Sequence, residues 1–378
     1  MATIDDLLRG IREAGEAPFR SAIAIPNRAY NSQDLFDLEA EHLFRRGWTM
    51  IARVEQAPTP NSYHSVDLLG ELLVMTRDKE GVLHVFSRVC PHRGAELLQG
   101  SGKTRAVVCP YHAWTFDLAG QCRGAPLMDD LDGFDRQAHG LRPIRHEVWN
   151  GFVFVNLDGA APPLTARLKP LDEALADCEL SNLVVVKTLD WGEVPYDWKV
   201  IAENSMECYH HHGVHIRSIG KLFPANRSWT VDDTADYLLT YSEPDPDEFD
   251  RVDGVQTVVD AARIVTVFPY GHFTARPTGG TFLQVLPVAA GRSRVFSHMM
   301  LTKAAAQAPG LEELIASRLV RTRQILGEDW AICEKVQAGA LTTQTHAGRL
   351  SSFEHPLWLF YRYYARALPT GAAPLALD

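Results

Sequence analysis

The sequence predicts an α+β protein built from a small all-β domain and a larger mixed one. Three observations carry that expectation. A helical apolar spacing opens the chain, short β-rich runs with turn signals fill the stretch from about Trp48 to Leu157, and helical patterns alternate with strand-like runs beyond it. A length of 378 residues suits two domains, or one large fold carrying an insertion.

Ile4, Leu7, Leu8 and Ile11 recur at i, i+3, i+4 and i+7 behind Thr3, a residue type that caps helices, so a short amphipathic helix comes first. A second helix follows Ser32. Leu72-Leu-Val-Met-Thr, then Asp78-Lys-Glu-Gly, then Val82-Leu-His-Val-Phe read as strand, turn and strand. The β-rich stretch closes at Asp158-Gly-Ala-Ala-Pro-Pro, a linker by composition. Helical patterns then lie around 171–178, 196–211 and 311–338. Between them run the strand-like Val184-Val-Val-Lys-Thr, Ala262-Arg-Ile-Val-Thr-Val-Phe and Phe282-Leu-Gln-Val-Leu. No internal repeat or low-complexity segment interrupts this order.

Composition excludes several classes. Apolar residues make up 46% and charged residues 22%, which is ordinary for a folded protein and unlike a disordered or collagenous chain. Lys and Arg number 37 against 47 acids, a net charge of -10, without the basic runs of a phosphate-backbone binder, so nucleic acid is not an expected partner. The start, Met1-Ala-Thr-Ile-Asp-Asp, carries acids where a secretory leader carries a basic stretch, and apolar runs such as Gly151-Phe-Val-Phe-Val are too short to span a bilayer. A soluble, cytoplasmic protein with no membrane partner is expected. Six cysteines (Cys90, Cys109, Cys122, Cys178, Cys208 and Cys333) are too few to staple a fold of this size, and in the cytoplasm they point to metal or catalysis.

The first constellation lies in the β-rich stretch. Cys90-Pro-His92-Arg-Gly and Cys109-Pro-Tyr-His112-Ala-Trp give a Cys-x-His and a Cys-x2-His, with sixteen residues between His92 and Cys109. Two loops that each contribute one thiolate and one imidazole can close one metal site. A structural zinc accepts the same ligand types, although its ligand pairs usually have wider spacing. The other chemistry is a Rieske 2Fe-2S cluster, in which thiolates hold one iron and neutral imidazoles the other. Tyr111 and Trp114 are placed to shield such a cluster or simply to pack.

The second constellation is Tyr196-Asp-Trp-Lys-Val-Ile-Ala-Glu-Asn-Ser-Met-Glu-Cys-Tyr-His-His-His-Gly-Val-His, read as helical up to Gly213. On a helix Glu203, Glu207 and His210 fall at i, i+4 and i+7 and share a face. Four His in six residues point to a metal more than to a solvated face. Helical periodicity alone prefers His211 with His215, the i, i+4 spacing of a zinc hydrolase helix. A non-haem Fe(II) centre needs two His and one carboxylate. Asp329, flanked at helical spacing by Ile325, Leu326, Ile332, Cys333 and Val336, sits on an apolar stripe where a carboxylate needs a cation. Its plain alternative is a cap or an ion pair. Glu328 and Glu334 read as ordinary surface charge.

The pattern Cys-Pro-His-Arg-Gly-x10-Arg-x3-Cys-Pro-Tyr-His-x-Trp resembles the Rieske domain of the ring-hydroxylating and related non-haem iron oxygenases almost letter for letter. Asp197-Trp-Lys-x3-Glu-Asn-x2-Glu-x-Tyr-His-x4-His and Gly-Glu-Asp-x3-Cys-Glu-x-Val-Gln-x-Gly resemble the catalytic domain of the same family, with Asp197 where the family shows Asn. This resemblance to the oxygenase α-subunit covers nearly the whole chain. It implies an all-β Rieske 2Fe-2S domain, residues 45–158, inserted into a helix-grip (START-like) catalytic domain made of N-terminal helices 1–44 and residues 159–378. It further implies a 2Fe-2S cluster on Cys90, His92, Cys109 and His112, and a mononuclear Fe(II) on His210, His215 and Asp329. Glu207 would then be the electron bridge from a neighbouring subunit's cluster in a ring-shaped homotrimer. Dioxygen, a small-molecule substrate and an NAD(P)H-dependent flavin/iron-sulfur reductase, directly or through a ferredoxin, are the implied partners.

Ring-hydroxylating dioxygenases usually carry Asp at the bridging position, whereas Glu207-Cys-Tyr-His resembles the branch of quaternary-amine monooxygenases. That favours hydroxylation of an N-methyl group with loss of formaldehyde, over oxidation of an aromatic acid. A quaternary ammonium calls for an aromatic cage, with Trp229, Tyr237, Tyr241, Phe268, Tyr270, Phe273 and Phe282 as candidates that also suit the core. The aromatic-acid alternative would use Arg263, Arg276 or His272. A pure electron carrier, or a zinc hydrolase on His211 and His215, would each leave one constellation unexplained.

Overall fold

A computed structural model describes residues 3–231, 234–248, 250–252, 255–257, 259–344 and 346–371. The chain divides into two compact units. One comprises Met1–Thr49 with Ala166–Asp378, and the other comprises Met50–Thr165. An all-β segment carried inside an α+β chain is the expected fold class.

In the larger unit α1 (Ile4–Glu16) starts at Thr3, whose side chain and that of Asp6 each accept the other's backbone N–H in a capping box. It buries Leu7, Leu8, Ile11 and Ala14 and packs against the C-terminal helix. Gly15 permits that approach, because a Cβ there would stand 2.6 Å from the Tyr361 carbonyl oxygen. Helix α2 (Gln33–Glu39), capped by Ser32, runs on into a π-helical turn over Ala40–Arg45. Helices α3 (Lys169–Ala174), α4 (Trp198–Met206), α5 (Leu311–Ala340) and α6 (His355–Ala367) complete the set.

A seven-stranded sheet forms the body of this unit, in the order Leu183–Val194, Arg292–Thr302, Gly279–Ala289, Gly271–Arg276, Ala262–Val267, Tyr237–Ser242, Ser228–Thr230. All its pairings are antiparallel. Long α5 faces it: Leu319 and Thr322 line a cleft together with Lys187, Leu189, Thr281, Ser297 and Met299 from three strands.

A buried polar cluster fixes α4. Asp197 caps it by accepting the Lys199 N–H, and the Lys199 ammonium lies 2.6 Å from Asp197 and 2.7 Å from Glu39 of α2. The Trp198 indole N–H also donates to Glu39. Gln337 of α5 accepts from the Asp197 N–H and donates to the Tyr30 carbonyl. Because a buried ammonium without partners would be very costly, these contacts lock the entrance of α4 between α2 and α5.

The smaller unit holds a four-stranded sheet (Leu83–Ser87, Glu71–Arg77, Ser62–Leu68, Ser101–Lys103) and two three-stranded ones. Phe86, Cys90, Val107, Cys109, Trp114, Phe116 and Leu118 share one apolar cluster, so the core of this unit encloses the two cysteines of interest. Among the described residues no helix is long and apolar enough to cross a membrane.

Candidate metal centres

Two loops of the β unit are built alike. The Cys90 carbonyl accepts the N–H of Gly94, and the Cys109 carbonyl accepts that of Ala113. Both residues that close these turns take a left-handed backbone, Gly94 at φ 74° and Ala113 at φ 58°. Glycine adopts this freely, while alanine does so at a cost of roughly 1–2 kcal/mol. Cys90 and Cys109 are buried side by side, with backbone N–H groups of His92 and Arg93 directed at the Cys90 sulfur. Burial, reinforced by the neighbouring Cys109, raises the Cys90 thiol above its ordinary value. A cation is what brings such a pair to thiolates.

The two imidazoles stand 4.6 Å apart, and the Nδ1 atoms of both His92 and His112 are buried without a hydrogen-bond partner. Orphaned ring nitrogens of this kind are rare in folded proteins. Two sulfurs with two unpartnered imidazole nitrogens fit a cluster that takes thiolates on one iron and imidazoles on the other. Trp114 lies flat on His92 at 4.8 Å and Tyr111 packs on His112 at 3.8 Å, so both aromatic side chains cover the ligands.

The second group differs from its helical reading. Helix α4 stops at Met206, and Glu207 is extended (φ -119°, ψ 162°), so Glu203, Glu207 and His210 do not share a helical face. A single 3-10 turn, Tyr209–His212, carries the first histidines instead. Glu203 points away and accepts from the Tyr30 hydroxyl at 2.8 Å, and desolvation of the carboxyl lifts it to about 8. The i, i+4 argument for His211 with His215 loses its helix for the same reason.

Glu207 holds His210 twice, accepting the backbone N–H at 3.0 Å through one carboxylate oxygen and facing Nδ1 at 2.7 Å with the other. His215 Nδ1 lies 2.7 Å from Glu328 Oε2. The remaining ring nitrogens converge: Asp329 Oδ1 is 3.5 Å from His210 Nε2 and 3.0 Å from His215 Nε2. That oxygen is buried and makes no aligned hydrogen bond. Lone pairs facing one another at these separations repel unless a proton or cation lies among them. Donor atoms about 3.0–3.5 Å apart are what a metal about 2.1 Å from each would hold. Burial pushes the His215 imidazole down, but the carboxylates of Asp329 and Glu328 outweigh it and raise its pKa, so this arrangement attracts positive charge.

His211 also brings a nitrogen within 4.8 Å of both other imidazoles. Its Nδ1 is engaged by the Phe223 carbonyl at 2.7 Å, and burial depresses its pKa to about 3. His212 is exposed. On α5 Cys333 packs inward beside Asp329 as the apolar stripe predicts, whereas Val336 is exposed.

Glu328 was expected to be surface charge and is instead bound to His215. A helical wheel places it off the buried stripe, and its partner is 113 residues away, so no local signal reveals it. The aromatic candidates are mostly engaged in packing: Trp229 on Tyr241, Phe268 on Tyr363, Tyr270 on His272 and Phe282 on His298. Tyr237 and Phe273 are core residues. Sequence reasoning missed another aromatic group. Trp330, adjacent to Asp329, meets Trp191 edge-on at 5.8 Å and Tyr196 at 6.2 Å, and its indole N–H is buried without a partner. Of the candidate carboxylate contacts, Arg263 is paired with Asp177, Arg276 lies over the Phe223 ring and His272 is buried against Thr266.

Two family models cover the segments that carry these two groups of residues. Residues 47–135 match the Rieske [2Fe-2S] domain, and residues 187–370 match the ring hydroxylating alpha subunit catalytic domain. The carnitine monooxygenase oxygenase subunit of Acinetobacter pittii is 38% identical over 197 residues, 50% of this chain and 52% of the relative. The glycine betaine monooxygenase oxygenase subunit of Chromohalobacter salexigens is 33% identical over 243 residues, 63% of this chain and 53% of the relative. In these alignments the chain spans about half the length of its curated relatives. The structure of the quaternary ammonium Rieske monooxygenase CntA in complex with L-carnitine superposes with a TM-score of 0.81 at 27% identity, over 95% of this chain and 99% of that one. A naphthalene 1,2-dioxygenase (TM-score 0.74, 19% identity, 91% of this chain and 92% of that one) shares the fold. With a thiolate–imidazole set in the first matched domain and an imidazole–carboxylate set in the second, the chain belongs to the Rieske oxygenase family of ring-hydroxylating α subunits, whose cofactors are a Rieske 2Fe-2S cluster and a mononuclear iron.

Proposed function

We propose that this chain is the cytoplasmic oxygenase component of a monooxygenase system that hydroxylates an N-methyl group of a quaternary amine or betaine. The observation that carries the proposal is the presence of two donor sets of different character in one chain. Two thiols with two orphaned imidazole Nδ1 atoms suit an electron-carrying cluster, and two imidazole Nε2 atoms with Asp329 Oδ1 suit an oxygen-activating metal.

In this reading Cys90, His92, Cys109 and His112 hold the cluster, and His210, His215 and Asp329 hold the iron. The cluster supplies electrons one at a time and the iron supplies dioxygen activation. Three protein donors leave room for dioxygen and substrate. Glu207, fastened to His210, is the electron bridge, and its other neighbour would be His92 or His112 of a second subunit in a homotrimer. An NAD(P)H-dependent reductase, directly or through a ferredoxin, completes the system. The relatives named for carnitine and glycine betaine, together with a glutamate at the bridge, support a quaternary ammonium substrate. The aromatic group of Trp191, Tyr196 and Trp330, the last adjacent to Asp329 in sequence, would receive its cationic head. Dioxygen, two electrons and two protons then yield water and an N-hydroxymethyl group, which breaks its C–N bond to release formaldehyde and the tertiary amine.

A single turnover of reduced, iron-loaded protein tests this. One pool of N-methylated amines and betaines and one of aromatic acids are offered under labelled dioxygen, with mass spectrometry and a formaldehyde assay as readouts. Formaldehyde with a demethylated amine is expected. Labelled phenol or diol from the aromatic pool would move the chain to aromatic oxidation.

A further inference from the structure

We propose that Glu328 is a positioning residue for the mononuclear centre, holding His215 with its proton on Nδ1 and its Nε2 lone pair turned to the metal. The proposal rests on the reading that His215 and Asp329 hold that metal.

The geometry is a clamp across one ring. Consecutive residues on a helix diverge by about 100°, and here Glu328 and Asp329 of α5 reach opposite edges of the same imidazole. Glu328 Oε2 lies 2.7 Å from Nδ1, and Asp329 Oδ1 lies 3.0 Å from Nε2. A carboxylate only accepts hydrogen bonds, so the Glu328 contact calls for the proton on Nδ1; Asp329 Oδ1 makes no aligned hydrogen bond, and with a metal between it and the ring Nε2 would present its lone pair. The ring is almost fully enclosed, at 1% exposure.

Glu328 is itself held. The Ser218 hydroxyl, in the turn just past His215, donates to the same Oε2 at 2.5 Å, and the Gln324 amide one turn earlier on α5 lies 3.4 Å from Oε1. The two ends of the arrangement match: Glu207 stands 2.7 Å behind His210 Nδ1 as Glu328 does behind His215. Each imidazole that faces Asp329 thus has a carboxylate at its back. This pairing sets tautomer and ring orientation, and its loss typically costs 10–100-fold in metal affinity.

The test uses full-length protein with its cluster intact and the mononuclear metal removed, titrated with Co(II) by its visible absorption. Glu328→Ala is expected to weaken Co(II) binding by about 10–100-fold, and Glu328→Gln, which keeps an acceptor facing Nδ1, by much less. In proton NMR of the Co(II) form, one exchangeable, metal-shifted imidazole N–H should persist in the wild type and in Glu328→Gln but be lost or exchange faster in Glu328→Ala. A Glu328→Ala protein with wild-type affinity and an unchanged N–H signal overturns the positioning role. Asp329→Ala serves as the control. If it too binds Co(II) like the wild type, the metal site itself is misplaced and the proposal falls with it, a result distinct from failure at Glu328 alone.

Discussion

Replacing Glu203 by Gln isolates the one acid of the second motif that the structure removes from the metal site. Its carboxylate is enclosed with the Tyr30 and Tyr361 hydroxyls, and burial raises it from 4.5 to about 8. The folded state therefore holds a proton that the unfolded chain releases near pH 4.5. With the folded pKa above the unfolded one, the folded form binds more protons between these values, so stability falls as pH rises from about 4.5 to about 8. A displacement of that size corresponds to at most about 5 kcal/mol. Glutamine keeps an acceptor for Tyr30 and cannot ionise. Melting temperatures of wild type and Glu203→Gln should be similar near pH 5, with the variant several degrees higher near pH 8.5, where each kcal/mol is worth roughly 2–4 °C. Iron content should be unchanged. An equal difference at both pH values would refute the buried, protonated carboxyl, and loss of iron would return Glu203 to the metal site.

Glu207→Gln should leave both metals bound yet stop electrons from reaching the mononuclear site; normal substrate-dependent reoxidation of the reduced cluster in that variant would reject the bridge. Trp330→Leu should raise KM for a trimethylammonium substrate by about 2–30-fold, the range of one cation–π contact of roughly 0.5–2 kcal/mol. An uncharged tert-butyl analogue should bind equally to both proteins, and a parallel loss for the analogue would show that the ring acts only by packing. His211→Ala should change iron content little, since its Nδ1 is tied to the Phe223 carbonyl; complete loss of iron would make it a ligand.

Much of this was legible because the cluster motif is local. Cys90 with His92 and Cys109 with His112 sit within single tight turns, so spacing alone brings each pair to one loop. Asp329 was readable for a different reason, as an acid on the buried stripe of a long, regular helix. What failed was the assumption that helicity continues. Glu207 leaves α4 in an extended conformation, which turns an i, i+4, i+7 face into a cap, a turn and a clamp around His210. Glu328 and the Trp191–Trp330 contact join segments distant in sequence, and a helical wheel carries no information about what lies across from it.

The central claim is that one chain carries two independent iron sites, with Asp329 serving only the second. Iron and acid-labile sulfide measured on wild type and Asp329→Ala side by side test it most directly. The wild type should contain about three irons and two sulfides per chain, and the variant should keep both sulfides while losing about one iron. Unchanged iron in the variant, or sulfide lost along with it, would contradict the account.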